Sequence, residues 1–364
     1  MSADDQLNNL HGRCVIVCGP GGVGKTSVSA AIGKALAVSR GRVVVLTIDP
    51  AKRLAQSLGL ALSGNEVVEV GGGLCATMLD AKAGWDDLVR RFAPDAAAAE
   101  RLLRNPLYQN ITARFVNSHD YIAMERLYEL SSNTDFDVVV VDTPPSRNAL
   151  DFLNAPDRMA EFFGGRLVRW LTIPYRNRFL GLASRPFFQI ADRVLGARFL
   201  TDIIEFFVLL QALEEGFVER ARLVRALLDS PECDYVVVTG PGADSVREAN
   251  YLLDRIDART SRQPTVLVNR KMPCPVENDR AGDIESDVTA AGELAARTGC
   301  DSESVERVLS ALQIAQQAQS RRCSEHTEVC EQLRKRGVRV LEVPDMAVDA
   351  VAVVDQIAQS LIAK

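Results

Sequence analysis

The sequence is poor in the residues that build metal centres and disulfide frameworks. Only three histidines, His11, His119 and His326, occur among 364 residues, and no C-x-x-C pair occurs anywhere. None of the histidines sits in a metal-ligand spacing, so a structural zinc site within one chain is not expected. The eight cysteines (14, 18, 75, 233, 274, 300, 323, 330) are scattered, mostly in apolar surroundings, which predicts buried, reduced thiols. Positive charge is not in excess. Lys and Arg number 42 against 48 Asp and Glu, a net charge of -6, so nothing in the electrostatics calls for a nucleic-acid partner. Long apolar runs are missing too: FFVLL at Phe206–Leu210 lies between Glu205 and Gln211, far short of a membrane span. The opening MSADDQLNNLHG is polar and has no apolar signal core. These absences predict a cytoplasmic protein, with peripheral contact at a membrane left open.

What is present is an alternation. With 47% apolar and 25% charged residues, the chain can bury one large α/β domain or two ordinary ones. Short, nearly continuous apolar runs recur at Cys14–Cys18, Val43–Ile48, Val138–Val141, Tyr235–Thr239, Thr265–Val268 and Val338–Val343. Such runs suit strands buried on both faces. Weaker runs at Val67–Val70 and Cys75–Leu79 suggest a further strand or two. Between the first two, Val28, Ala31, Ile32, Ala35 and Leu36 fall on one helical stripe. Strands alternating with helices predict a doubly wound, mostly parallel sheet of about seven or eight strands. Two stretches break the rhythm and read helical throughout, 84–132 and 151–230. We expect them to be insertions forming a helical subdomain on a core made of 1–83, 133–150 and 231–364. No internal repeat or low-complexity linker is evident. Residues 1–10 and Asn278–Ser286 are expected to be mobile.

Three short segments carry chemistry. Gly19-Pro20-Gly21-Gly22-Val23-Gly24-Lys25-Thr26 fits G-x-x-x-x-G-K-[ST] between a strand and a helix, the context in which that motif wraps phosphates. Glycines let backbone N–H groups approach the anion, and the helix N-terminus adds its positive end. Lys25 is expected to reach the β- and γ-phosphates and Thr26 to place its hydroxyl on Mg²⁺, with Gly21, Gly22, Val23, Gly24 and Ser27 completing the loop. In VVVVDTPPS the valine run ends in Asp142, placed to bind the magnesium through a water. In TIDPAKRL, Asp49 stands at a strand tip facing the ligand crevice. It can orient the attacking water, or simply cap a helix that has Pro50 at its first position; the two roles are compatible.

Taken in order, these segments resemble the ArsA-type ATPases, which include the arsenite-pump ATPase and the guided-entry ATPase that delivers tail-anchored membrane proteins. DPAKRL resembles the family's first switch and DTPPSRNALDFLNAP its second. VLVNRKMP resembles the strand whose asparagine recognises adenine, and LEVPD the late adenine-side loop. The resemblance covers nearly the whole chain, looks most like the bacterial single-domain members, and implies a P-loop ATPase fold. It implies ATP and Mg²⁺ as cofactors, Lys25, Asp49 and Asp142 as catalytic residues, Asn269 and Pro344 on the adenine side, and function as a dimer.

The departures narrow the reading. Pro20 stands where the family usually has a lysine that reaches across the dimer to the partner's phosphate, and proline offers neither charge nor N–H. The zinc-clamping cysteine pair of the eukaryotic targeting factor is missing, and only Cys274 falls near that point. No arsenite-binding cysteine triad lines up. Two assemblies remain open: a homodimer that turns over slowly, and the preferred heterodimer with a lysine-bearing paralogue. Arg53 or Arg147 could stand in for the lysine, though each also reads as an ordinary solvated arginine. Phe199, Ile203, Phe206, Leu210, Leu213 and Phe217 form a helical stripe, continued by Leu200, Ile204, Phe207 and Val208. The stripe is either the core of the helical subdomain or part of a groove for a hydrophobic or membrane-protein client. The basic, aromatic stretch 166–188 beside it could be a lid or a packed helix pair. The expected activity is an ATPase coupled to such a client. The alternatives are an energising subunit of an anion transporter and a nearly inactive regulatory subunit.

Overall fold

The computed structural model describes residues 7, 10–49, 53–62, 64–114, 118–144, 154, 157–158, 205–209, 212–260, 262–272, 295–345 and 350–362. At its centre is an eight-stranded sheet in the order β3-β4-β2-β5-β1-β6-β7-β8. The strands are β1 (Cys14–Cys18), β2 (Val43–Thr47), β3 (Val68–Gly71), β4 (Leu74–Met78), β5 (Val138–Asp142), β6 (Cys233–Thr239), β7 (Thr265–Lys271) and β8 (Arg339–Pro344). All pair in parallel except β3, which runs antiparallel to β4 at the edge. The two weaker apolar runs are thus β3 and β4. The weakness of the first has a cause: β3 alternates half-buried and exposed positions, as an edge strand does, whereas β1, β2, β5 and β6 are buried throughout.

Helices cover both faces. On one lie α1 (Lys25–Arg40), α2 (Arg53–Leu58) and α10 (Ala350–Ile362). The stripe Val28, Ala31, Ile32, Ala35 and Leu36 of α1 is buried there against Val15, Val17, Val43 and Val45 of the sheet. The other face carries α3 (Ala81–Phe92), α4 (Ala96–Arg104), α5 (Pro106–Arg114), α6 (Ser118–Ser132), α7 (Glu214–Asp229), α8 (Ala243–Asp257) and α9 (Ser302–Lys335). Aspartates start several of them: Asp80, Asp95 and Asp301 accept from the backbone N–H of Ala83, Ala98 and Ser304.

Helices α3, α6 and α7 meet in an aromatic knot. Phe217 is fully buried, with its ring 5.7 Å from Trp85, 5.7 Å from Tyr121 and 5.5 Å from Phe92. Phe206, Leu209, Leu213 and Phe217 belong to one hydrophobic cluster with Ile16, Val44 and Leu46 of the sheet. The described half of the apolar stripe is therefore core, while Val208 on its other side is 38% exposed. Residues 199, 203, 204, 210, the stretch 166–188, Arg147 and Asn278–Ser286 lie outside the described residues.

The cysteines divide. Cys14 and Cys233 sit at register-paired positions of β1 and β6, with the Cys233 thiol 3.6 Å from Cys14. That hydrogen bond, followed by burial, holds the Cys14 thiol well above the ordinary range. Cys18, Cys75 and Cys330 are also buried and free. Two depart from the expectation of buried, reduced thiols. Cys300 is exposed, because it falls in the turn that leads into α9, and Cys323 is disulfide-bonded. Among the described residues no helix is long and apolar enough to cross a membrane.

Candidate nucleotide-binding site

The parallel strands β1, β2, β5, β6 and β7 end on the same edge, so their C-terminal tips face one crevice. The chain leaves β1 at Cys18, turns through residues 19–24 and enters α1 at Lys25. Two glycines make that turn feasible. At Gly19 (φ +151°) a Cβ would lie 2.0 Å from the Val238 carbonyl oxygen of β6, and at Gly24 (φ +87°) it would lie 2.5 Å from Asn269 Nδ2. Neither site admits a side chain.

Lys25 is buried, and its Nζ donates to the carbonyls of Gly19 (2.9 Å) and Pro20 (2.7 Å). Burial draws its pKa down, while the Asp142 carboxylate pulls the other way. Asp142, at the tip of β5, is fully buried. One carboxylate oxygen accepts from the Thr26 hydroxyl at 2.8 Å and the Thr47 hydroxyl at 3.0 Å, and the other faces the Ser29 hydroxyl at 3.4 Å. Burial pushes the carboxyl up to about 6, against the lowering effect of those hydroxyls and of Lys25. Thr47 in turn accepts from the Asp49 N–H at 3.3 Å, which ties the tip of β2 to that of β5. The Asp49 carboxylate faces Arg53 at 3.5 Å.

These groups surround a cavity of about 280 Å³ lined by Gly22, Gly24, Lys25, Thr26, Ser27, Asp49, Arg53, Gln56, Ser57, Thr143 and Arg270. Of the residues expected from sequence, Gly22, Gly24, Lys25, Thr26, Ser27 and Asp49 line it, and Asp142 stands directly behind Thr26. Gly21 and Val23 are not in the lining; the Val23 side chain is turned into the core. Asn269, at the end of β7, reaches the loop itself, its Nδ2 donating to the Val23 carbonyl at 2.8 Å. Pro344 is exposed at the end of β8, in register with Lys271, and does not line the cavity. Sequence reasoning missed Thr47, Ser29, Gln56, Ser57, Thr143 and Arg270. Thr47 lies two residues before Asp49 and Ser29 three after Thr26, on the elements that flank Asp142, and neither carries a signature of its own. Arg270 adjoins Asn269 and could have been suspected. Residues 50–52 of the first switch and 145–153 and 155–156 of the second lie outside the described residues.

The donor set fits a magnesium nucleotide. Hard oxygen donors from a threonine hydroxyl and a carboxylate suit Mg²⁺, and a lysine beside a helix N-terminus suits phosphate. Sheet order, loop and carboxylate together define the class, an α/β protein with a P-loop. The sequence profile of the anion-transporting ATPase family matches residues 12–286, and the chain belongs to that family. An uncharacterised protein of Streptomyces coelicolor is 29% identical over 72% of this chain and 63% of its own length. A Prosthecochloris vibrioformis protein that carries the provisional name of arsenical pump-driving ATPase is 26% identical over 71% of this chain and 61% of its own. ATPase GET3 of Malassezia globosa is 28% identical over 39% of this chain and 42% of its own. Each match thus spans less than two thirds of the relative.

Proposed function

We propose that the chain is a Mg²⁺-ATP-dependent ATPase whose closure on nucleotide is coupled to a helical region that handles a hydrophobic or membrane-protein client. The observation that carries the reading is the convergence of Lys25, Thr26 and Asp142 on one cavity, with Thr26 already hydrogen-bonded to Asp142. Lys25 exchanges its two loop carbonyls for β- and γ-phosphate oxygens. Thr26 would hold Mg²⁺ directly and Asp142 through a water, and the ion supplies charge neutralisation at the phosphates. Asp49 orients the attacking water. Because Thr47 touches both Asp142 and the Asp49 N–H, a change at the metal position is felt at the water position.

On the adenine side, Asn269 uses its Nδ2 on the Val23 carbonyl. Its Oδ1 would be the acceptor for the 6-amino group of adenine. Pro344 would flank the base from β8.

The client region is assigned to 84–132 and 151–230, with 1–83, 133–150 and 231–364 as the ATPase core. Since Phe206, Leu209, Leu213 and Phe217 are used in the core, the client surface must come from other parts of these stretches. The proline at position 20 removes a cation worth about 10³–10⁵ in rate in related phosphoryl-transfer devices. We therefore favour a heterodimer with a lysine-bearing paralogue over a homodimer. A second reading, an energising subunit for an anion transporter, is favoured by the name of the Prosthecochloris relative; stimulation of hydrolysis by antimonite would support it.

The test is steady-state hydrolysis by wild type and Lys25→Ala, beside mass measurement with Mg²⁺-ATP. Slow, Lys25-dependent hydrolysis that rises on adding the paralogue supports the reading. Fast hydrolysis by a homodimer overturns the heterodimer, and hydrolysis indifferent to Lys25→Ala overturns the assignment of the site.

A further inference from the structure

Arg270 is the one non-glycine residue with positive φ among the described residues, at +60°. A long side chain in the left-handed region is disfavoured by contact of its Cβ with the backbone, and such conformations persist where the surroundings impose them. It sits where β7 loses register with β8, the pairing shifting between Val268 and Lys271. In a regular strand Asn269 and Arg270 would point to opposite faces. Here both reach the phosphate-binding loop. Asn269 Nδ2 donates to the Val23 carbonyl at 2.8 Å and Arg270 Nη1 to the Gly22 carbonyl at 3.4 Å. The irregularity at the end of β7 turns two successive side chains onto two successive carbonyls of one loop.

The polarity of that loop gives the contact a meaning. A loop that wraps phosphate turns its N–H groups inward toward the anion, which leaves carbonyls on the outside. Asn269 and Arg270 hold two of the loop's carbonyls, those of Val23 and Gly22. Arg270 also belongs to the cavity's lining, beside Lys25 rather than in its place.

We propose, on the basis of the nucleotide-site reading above, that Arg270 is a positioning residue that braces the phosphate-binding loop through the Gly22 carbonyl and so sets its affinity for nucleoside di- and triphosphates alike. The brace acts on the loop that holds the β-phosphate, so ATP and ADP depend on it equally. A cation aimed at the terminal phosphate would favour ATP alone.

The experiment uses the full chain and the fluorescent analogues mant-ATP and mant-ADP with Mg²⁺. Arg270→Gly removes the guanidinium and suits the +60° backbone, so the nucleotide-free melting temperature should not fall. Dissociation constants for both analogues should rise about three- to tenfold, the range expected for the loss of one ordinary hydrogen bond, since the contact is long at 3.4 Å. Arg270→Lys should recover part of the loss, since an ammonium can still donate to Gly22. Unchanged affinity in Arg270→Gly while Lys25→Ala loses binding would overturn the brace and leave the site reading intact. A loss confined to mant-ATP would also overturn it, by assigning Arg270 to the terminal phosphate. If Lys25→Ala binds as wild type does, the nucleotide site itself is misplaced and the inference falls with it.

Discussion

Replacing Asp142 by asparagine should make the nucleotide- and magnesium-free protein more stable at neutral pH while disabling it. Asp142 is fully buried at the tip of β5, and its carboxyl is raised from the ordinary 3.8 to about 6, chiefly by burial. At 1.36 kcal/mol per pKa unit, that rise disfavours the charged form in the folded state by about 3 kcal/mol. The direction with pH follows from proton binding. Between pH 3.8 and 6 the folded protein holds a proton that the unfolded chain has released, so wild-type stability falls as pH rises through this window. The cost is complete above about pH 7 and absent below about pH 4. Asparagine carries no charge, and its amide oxygen still accepts from the Thr26 and Thr47 hydroxyls. The net shift already includes those hydrogen bonds, so with asparagine standing in for the protonated carboxyl, Asp142→Asn should gain about 2–3 kcal/mol at pH 7.5 and under about 1 kcal/mol at pH 4. Urea titrations of both proteins in a chelating buffer at the two pH values measure the difference, in which titrating groups distant from Asp142 cancel. An Asn variant less stable than wild type at pH 7.5, or a gain that persists unchanged at pH 4, would refute the argument that Asp142 is held ionised at a cost for the sake of the metal site.

Two further outcomes test the packing that positions the site. Phe217→Ala empties the centre of the Trp85, Tyr121 and Phe92 cluster and should cost about 3–5 kcal/mol by denaturant titration; a loss under 1 kcal/mol would mean the aromatic knot is not closely packed. Gly33→Ala places a methyl 2.5 Å from Val45 Cγ2 and 3.1 Å from Leu74 Cδ1. The crowding should outweigh the better helix propensity of alanine and lower stability by about 1–2 kcal/mol, an effect read from the melting curve.

Much of this was written in the sequence where the physics is local. Four valines before Asp142 and a continuous apolar β1 can be buried only in the middle of a parallel sheet, and they are. The loop from Gly19 to Thr26 declares its backbone by its glycines. The site's second half was less legible because it depends on register. Thr47 matters only because β2 and β5 align Thr47 with Asp142, and no single-strand pattern says so. Arg270 matters only because β7 breaks register, which turns a residue that alternation would send away back onto the loop. The apolar stripe from Phe199 to Phe217 carries its own lesson. Its described members Phe206, Leu213 and Phe217 are buried, yet an apolar helix reads alike whether the sheet or a client covers it. The shared cluster of Phe206, Leu213 and Phe217 with the strands decides that for the described half. Pro344 stands at the end of β8, in register with Lys271 and outside the cavity's lining, and its place beside the base rests on the resemblance alone.

Everything proposed for this chain depends on the cavity between Lys25, Thr26 and Asp142 taking a magnesium nucleotide. Isothermal titration of Mg²⁺-ATP into the wild-type chain and into Lys25→Ala tests it most directly. The wild type should show one site per chain and the variant at least a tenfold weaker affinity, with removal of Mg²⁺ weakening the wild type as well. Binding that survives Lys25→Ala at full strength, or that is indifferent to magnesium, would contradict it.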